Sequence, residues 1–366
     1  MAQRDGLVVP EVFTPYLVEQ TTLNDKFAQS GVTRPLTELN LASIRGGDVI
    51  NMPYYKANLS GTFADLEVGK SLIPSRIDGS QQKAVILHRG LAYSAADLTA
   101  ITLGSENSDP MAVIGQKLGA NIANEKEKDL LAVLDGVFGT VKTDSNGAAL
   151  KANLVANESD TGYKDRGIDF NITAVQRAKY NLGDAANKLT TIAMHSVFYY
   201  YLQAKGLVVN STTSSSTHET TASASSVLTD FKTNNLSAYG NVDFGSFMGL
   251  KIVVTDNLVT TEKDEQDALT SPIYLFGEGV IGTGQQAAQR VRTDTDILSM
   301  EETLAVDAHY IYHPLGTKWD GDDDDSVNPS KAKLQSAGNW KLCYDIKNIP
   351  LARINALVPS DYHNSN

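Results

Sequence analysis

Gly277-Glu278-Gly279-Val280-Ile281-Gly282 has the glycine spacing that lets a backbone approach a dinucleotide pyrophosphate, and it follows the strand-like run Ile273-Tyr274-Leu275-Phe276. That chemistry also needs a helix N-terminus beside the phosphates. Thr283 and Gly284 interrupt such a helix, only residues 285–291 suit one, and no strand-helix-strand unit surrounds the motif, although Glu301 stands near the expected acidic position. A glycine-rich bend between strands is the better reading. His309 and His313 are spaced like zinc ligands on a helix, but Tyr310-Ile311-Tyr312 between them favours a strand, and no glutamate follows His309. In a strand four residues span roughly 13 Å, too far for one ion. Asp320, Asp322, Asp323, Asp324 and Asp325 could gather calcium, yet no glutamate closes a twelve-residue loop, and a solvated acidic turn is expected. Cys343, in an apolar strand-like run, reads as core. His88 and His195 have no serine or cysteine in a recognisable nucleophile setting. Catalytic, cofactor and metal sites are therefore not expected.

The totals point the same way. In 366 residues, 42% hydrophobic and 20% charged, there is enough apolar material for a large core and two domains. Thirty-one basic against forty-three acidic residues give a net charge of -12, which opposes any role built on grasping nucleic-acid phosphates. Such a charge suits a protein that encloses nucleic acid without adhering to it. Cys343 is the only cysteine, so an intrachain disulfide is excluded. The opening residues lack an apolar signal-peptide core, and no window approaches the roughly 18 apolar residues of a membrane span. Neither a membrane nor a secretory role is expected.

The elements are unevenly legible. Residues 1–45, with Pro10, Pro15 and Pro35, read as an arm carrying one short helix over 15–29 and lying on something else. Gly46-Gly47 then opens a strand (Val49, Ile50, Met52, Tyr54, Tyr55) that returns about thirty residues later as Ala84-Val85-Ile86-Leu87. An isolated ribbon of that length is marginal in water, so its apolar side chains are expected to find another subunit. Its tip, 60–81, carries Phe63, Leu66, Val68, Leu72, Ile73 and Ile77 among glycines. Asp109-Pro110 supplies a cap and a first-turn proline for a long helix to about Phe138, roughly 43 Å at 1.5 Å per residue. Met111, Ile114, Leu118, Ile122, Leu130, Val133, Leu134, Val137 and Phe138 form its apolar stripe, and Glu125-Lys126-Glu127-Lys128-Asp129 reads as its solvated side.

Further on, short helices are expected over 173–182 and 184–189, a strand over 189–194 and a helix over 196–205. Residues 211–226 are low-complexity Ser/Thr, read as a surface loop. Strands are expected over 250–255, 273–276, 308–313, 340–344 and 352–357. Mixed elements without regular alternation indicate an α+β class.

Val12-Phe13-Thr14-Pro15-Tyr16, Gly46-Gly47-Asp48-Val49-Ile50-Asn51-Met52-Pro53-Tyr54-Tyr55, Leu130-Leu131-Ala132-Val133-Leu134-Asp135-Gly136-Val137-Phe138 and His309-Tyr310-Ile311-Tyr312-His313-Pro314-Leu315-Gly316 resemble segments of one coat-protein subfamily. With the order of parts, the chain resembles the major capsid proteins of tailed bacteriophages, the Hong Kong 97-type coat fold. The resemblance implies an N-terminal arm (1–45), an extended β-hairpin loop (46–95), a peripheral domain with the spine helix (96–154), an axial domain (155–300) and a peripheral return (301–366). It implies pentamers and hexamers in an icosahedral shell around phage double-stranded DNA, assembled in the bacterial cytoplasm, with portal, scaffolding or decoration proteins as partners. Phe13, Tyr16, Tyr54, Tyr55, Phe63, Leu66, Leu72, Ile73 and Ile77 are the expected contacts between subunits. Two other readings are an encapsulin-like cargo shell and a nucleotide-cofactor enzyme using Gly277-Glu278-Gly279-Val280-Ile281-Gly282.

Overall fold

A computed structural model of the chain describes residues 10–41, 48–55, 79–96, 110–139, 149–150, 153–155, 168–208, 245–258, 269–296, 301–322 and 326–359. In chain order the elements begin α1 (Pro10–Leu23), α2 (Lys26–Ser30), β1 (Thr33–Pro35), α3 (Thr37–Leu41), β2 (Val49–Tyr55), β3 (Gly79–Val85), β4 (Leu87–Ala96) and α4 (Pro110–Phe138). The central part holds β5 (Leu154–Val155), β6 (Ile168–Asp169), α5 (Ile172–Leu182), β7 (Leu189–Met194), α6 (Ser196–Ala204), β8 (Ser246–Phe247), β9 (Leu250–Val254) and β10 (Thr270–Gly277). The chain then forms β11 (Ile281–Asp296), β12 (Glu301–Pro314), β13 (Thr317–Trp319), α7 (Lys331–Gln335), β14 (Trp340–Leu342) and β15 (Leu351–Leu357). The class is α+β.

Two sheets organise the fold. One has the order β5-β15-β10-β7-β9-β8, with β6 also paired to β15; β10 runs antiparallel to β15 and β7, and β7 parallel to β9. Alternate residues of its strands enter two different cores. Ile273, Leu275, Ile192, Met194 and Ile354 pack with Val175, Leu182 and Phe198 of α5 and α6, whereas Tyr274, Phe276, Ala193 and Leu351 pack with Leu130, Val133, Leu134 and Phe138 of α4. Burial on both faces is why these strands read as nearly continuous apolar runs.

The second sheet, β1-β11-β12-β4, lies on the other side of α4. Along β12, Leu304, Val306, Ala308 and Tyr310 are buried while Thr303, Ala305, Asp307 and His309 are only partly so, the alternation of a sheet with one covered face. The strand β11, Ile-Gly-Thr-Gly-Gln-Gln-Ala-Ala-Gln-Arg-Val-Arg-Thr-Asp-Thr-Asp, has little strand propensity, and residues 285–291, the one stretch there with helical potential, are extended. Pairing with β12 through two register shifts, rather than local preference, sets that conformation.

Several expectations are corrected. The first helix starts at Pro10 rather than Pro15, which sits inside it, and a second begins after Asp25, whose carboxylate accepts the Ala28 N–H at 3.0 Å. Within residues 10–41, Phe13 and Leu17 pack with Leu118 and Ile122 of α4, and β1 pairs with β11. The strand over 340–344 ends at Leu342, leaving Cys343 half-buried beyond it, and the helix at 184–189 is a 3-10 turn over Gly183–Lys188. The paired strands β11 and β12 stand on either side of residue 300 in the chain, and β15 joins the larger sheet.

The charged run on α4 is solvated only in part, Glu125 and Lys128 being half-exposed and Glu127 and Asp129 buried. Asp129 is 1% exposed, accepting from Arg89 Nε at 3.0 Å and from the Tyr310 hydroxyl at 2.6 Å. Glu127 is buried against Thr255 and Asn257. Because α4 runs between elements on several sides, part of its charged run faces protein, and donors meet the buried carboxylates at Asp129 Oδ2 and Glu127 Oε1.

Candidate assembly surface

The ribbon is antiparallel, Val49 opposite Val85 and Tyr55 opposite Gly79, so the sequence expectation of a returning strand is met in register. Its root does not wait for another subunit. Ile50, Met52, Ala84 and Ile86 are buried in a cluster with Leu39 of α3 and Ile311 of β12, because period-two alternation puts them on one face. Polar contacts hold the same root. Gln82 is buried, its Oε1 accepting from the Gly316 N–H at 3.4 Å and lying 3.3 Å from His313 Nε2. The Tyr54 hydroxyl donates to the Cys343 carbonyl at 3.2 Å, and its ring meets Tyr344 edge-on at 5.1 Å. Burial raises the Tyr54 and Tyr344 phenols above their ordinary pKa and pushes His313 down to about 4, so that imidazole is neutral in the fold.

The expected contact residues therefore separate. Phe13 is 4% exposed within its own chain, packed in the cluster with Leu118 and Ile122. Tyr16 is half-buried on α1, and Tyr54 is half-buried against Tyr344. The Tyr55 side chain, Phe63, Leu66, Leu72, Ile73 and Ile77 lie outside the described residues. Exposed apolar residues missed in the sequence include Leu23 at 59% and Tyr93 at 47%.

Gly277-Glu278-Gly279 turns the chain from β10 in one sheet to β11 in the other, Gly279 adopting φ +59° beside Arg34. A strand, not a helix, follows, so the phosphate-binding arrangement is not formed. His313 is buried at the ribbon root, whereas His309 lies on β12 opposite His88 of β4, the rings stacked 3.9 Å apart. Asp307 beside them bonds Arg290. Burial first, then the charges of His88 and Arg290, hold His309 below its ordinary pKa. Asp320 pairs with Lys341 and with Lys318, the latter at 3.4 Å, and the Lys341 bond chiefly lowers its pKa; Asp323, Asp324 and Asp325 lie outside the described residues. His195 caps α6, accepting the Val197 N–H at 3.2 Å on Nδ1. Among the described residues no helix is long and apolar enough to cross a membrane.

The family model for Gp13-like proteins, described as major capsid protein 13-like, matches residues 46–350. The chain belongs to that family. A relative described as the major capsid protein of Bacillus phage SPP1 is 31% identical over 351 residues, 95% of each chain. This major capsid protein also resembles solved structures in fold: the cyanophage Pam1 capsid asymmetric unit (14% identity, TM-score 0.52, 80% of this chain and 88% of that one) and the capsid of Ralstonia phage GP4 (12%, 0.51, 78% and 84%). Its role is structural, in the capsid of a phage virion.

Proposed function

We propose that this major capsid protein assembles through pentamers and hexamers into an icosahedral shell around double-stranded phage DNA. Kinship with the SPP1 coat protein along 95% of both chains carries the reading. In it, the larger sheet with α5 and α6 is the axial domain, and α4 with the four-stranded sheet is the peripheral one. The ribbon root is fastened to its own chain, and residues 56–78, bearing Phe63, Leu66, Leu72, Ile73 and Ile77, are the part that contacts a neighbour. Tyr16, Tyr54 and Tyr55 join that contact at its base. A shell of many copies needs interfaces that are individually modest and jointly strong, and a ribbon rooted on one subunit and docked on the next supplies that. The -12 charge keeps enclosed DNA from adhering to the wall. Assembly takes place in the host cytoplasm, with scaffolding, portal and decoration proteins as the expected partners.

Negative-stain microscopy of the expressed chain is expected to show closed shells or capsomers, and deletion of residues 60–81 is expected to leave a folded subunit or capsomer that no longer closes. Normal shells from the deletion would remove the ribbon from assembly. Purified particles filled with a protein guest instead of DNA would favour a cargo compartment.

A further inference from the structure

His88, Asp307 and His309 each offer one ligand atom to a common volume, all three atoms lying within 4.8 Å of one another. They come from neighbouring strands: His309 of β12 stands opposite His88 of β4, and Asp307 precedes His309 by two residues and shares its face. A fourth side chain orients the set. His309 Nδ1 lies 3.2 Å from Gln286 Oε1 on β11, brought alongside by the register shifts between Gln285 and Arg290. An amide oxygen only accepts, so the ring proton sits on Nδ1 and Nε2 keeps its lone pair. Nε2 is also the atom 3.9 Å from Asp307 Oδ2. An outer hydrogen bond that selects the ligating nitrogen in this way is the usual support of a metal-bound histidine.

We propose that His88, Asp307 and His309 hold a divalent transition-metal ion of the zinc class, with a fourth position open. Two imidazoles and one carboxylate suit such a borderline ion, whereas calcium or magnesium requires more oxygen ligands. Arg290 bonds the same carboxylate and opposes the incoming charge, yet a carboxylate has about four lone-pair sites and keeps room for both. The exposed ring of His88 has the freedom to swing into ligand distance. The bound ion would staple β4, which continues from the ribbon strand β3, to β12. Along one strand His309 and His313 are too far apart for this; the partner is supplied across the sheet.

The experiment uses the untagged full chain, titrated with zinc chloride by calorimetry and with cobalt chloride by visible absorption. One ion per chain is expected, with a cobalt band of four-coordinate nitrogen and oxygen ligation. His309→Ala and His88→Asn are each expected to weaken binding at least tenfold, and Gln286→Ala by about ten- to a hundredfold. His195→Ala is expected to leave it unchanged. His88 is exposed, so H88N keeps the test open if the His309 change impairs folding, with circular dichroism checking the fold. No saturable binding at one ion per chain, or binding indifferent to the His88 and His309 changes, would overturn the site.

Discussion

The larger sheet is enclosed between α5 and α6 on one side and α4 on the other, whereas the four-stranded sheet is lined by α4 and α1 on its inner face and, among the described residues, covered on its outer face only near the ribbon root. Beyond that root the outer face shows Arg290, Asp307 and His309. The first sheet is thus a source of stability within one chain. The second keeps a polar face that ordering of a monomer does not require, which leaves it available for other work. Burial differs because β10 and β15 present apolar side chains both ways, while β11 and β12 do so on one.

Phe276→Ala tests this contrast with the largest effect. The side chain is fully buried and meets Phe27 edge-on at 5.9 Å, so truncation is expected to cost about 3–5 kcal/mol in urea unfolding of the unassembled subunit. A loss below about 1 kcal/mol would mean the larger sheet is not the stabilising layer.

Protonation of His313 comes next. The unfolded chain takes up this proton below about pH 6.5 and the folded one only near 4, so the unfolded state binds more protons between the two. Stability from this group is fully present above about 6.5 and declines as pH falls toward 4, by about 3 kcal/mol at most. His313→Gln is expected to flatten that part of the stability-pH curve; an unchanged slope would place the titration elsewhere. Smallest is Arg292→Ala, on the exposed side of β11, expected to shift subunit stability by no more than about 0.5 kcal/mol. A larger loss in the lone subunit would show that the outer face already carries structural weight.

Legibility in the sequence follows the same division. The strands at 189–194, 250–254 and 273–276 and the helix to Phe138 were readable, since burial on two faces or a sustained three-to-four-residue stripe leaves a clear local pattern. The strand β11 was not, because glutamines, glycines and arginines become extended there through pairing with β12. At the candidate surface, the returning ribbon was readable from Val49-Ile50 and Ala84-Val85, but its anchoring by Gln82, Tyr54 and Ile311 was not: these partners lie more than two hundred residues apart in the chain, and no local signal joins them.

By itself the sequence determined the class of elements, the length of the central helix, the acidic charge and the resemblance to phage coat proteins, because these depend on spacing along the chain. Tertiary structure decided which polar residues turn inward and which meet. Asp129 looked solvated until Arg89 and Tyr310 enclosed it, and His309 lacked a partner until β4 brought His88 across. Contact across a fold depends on strand order and register, and neither is written into the neighbouring residues.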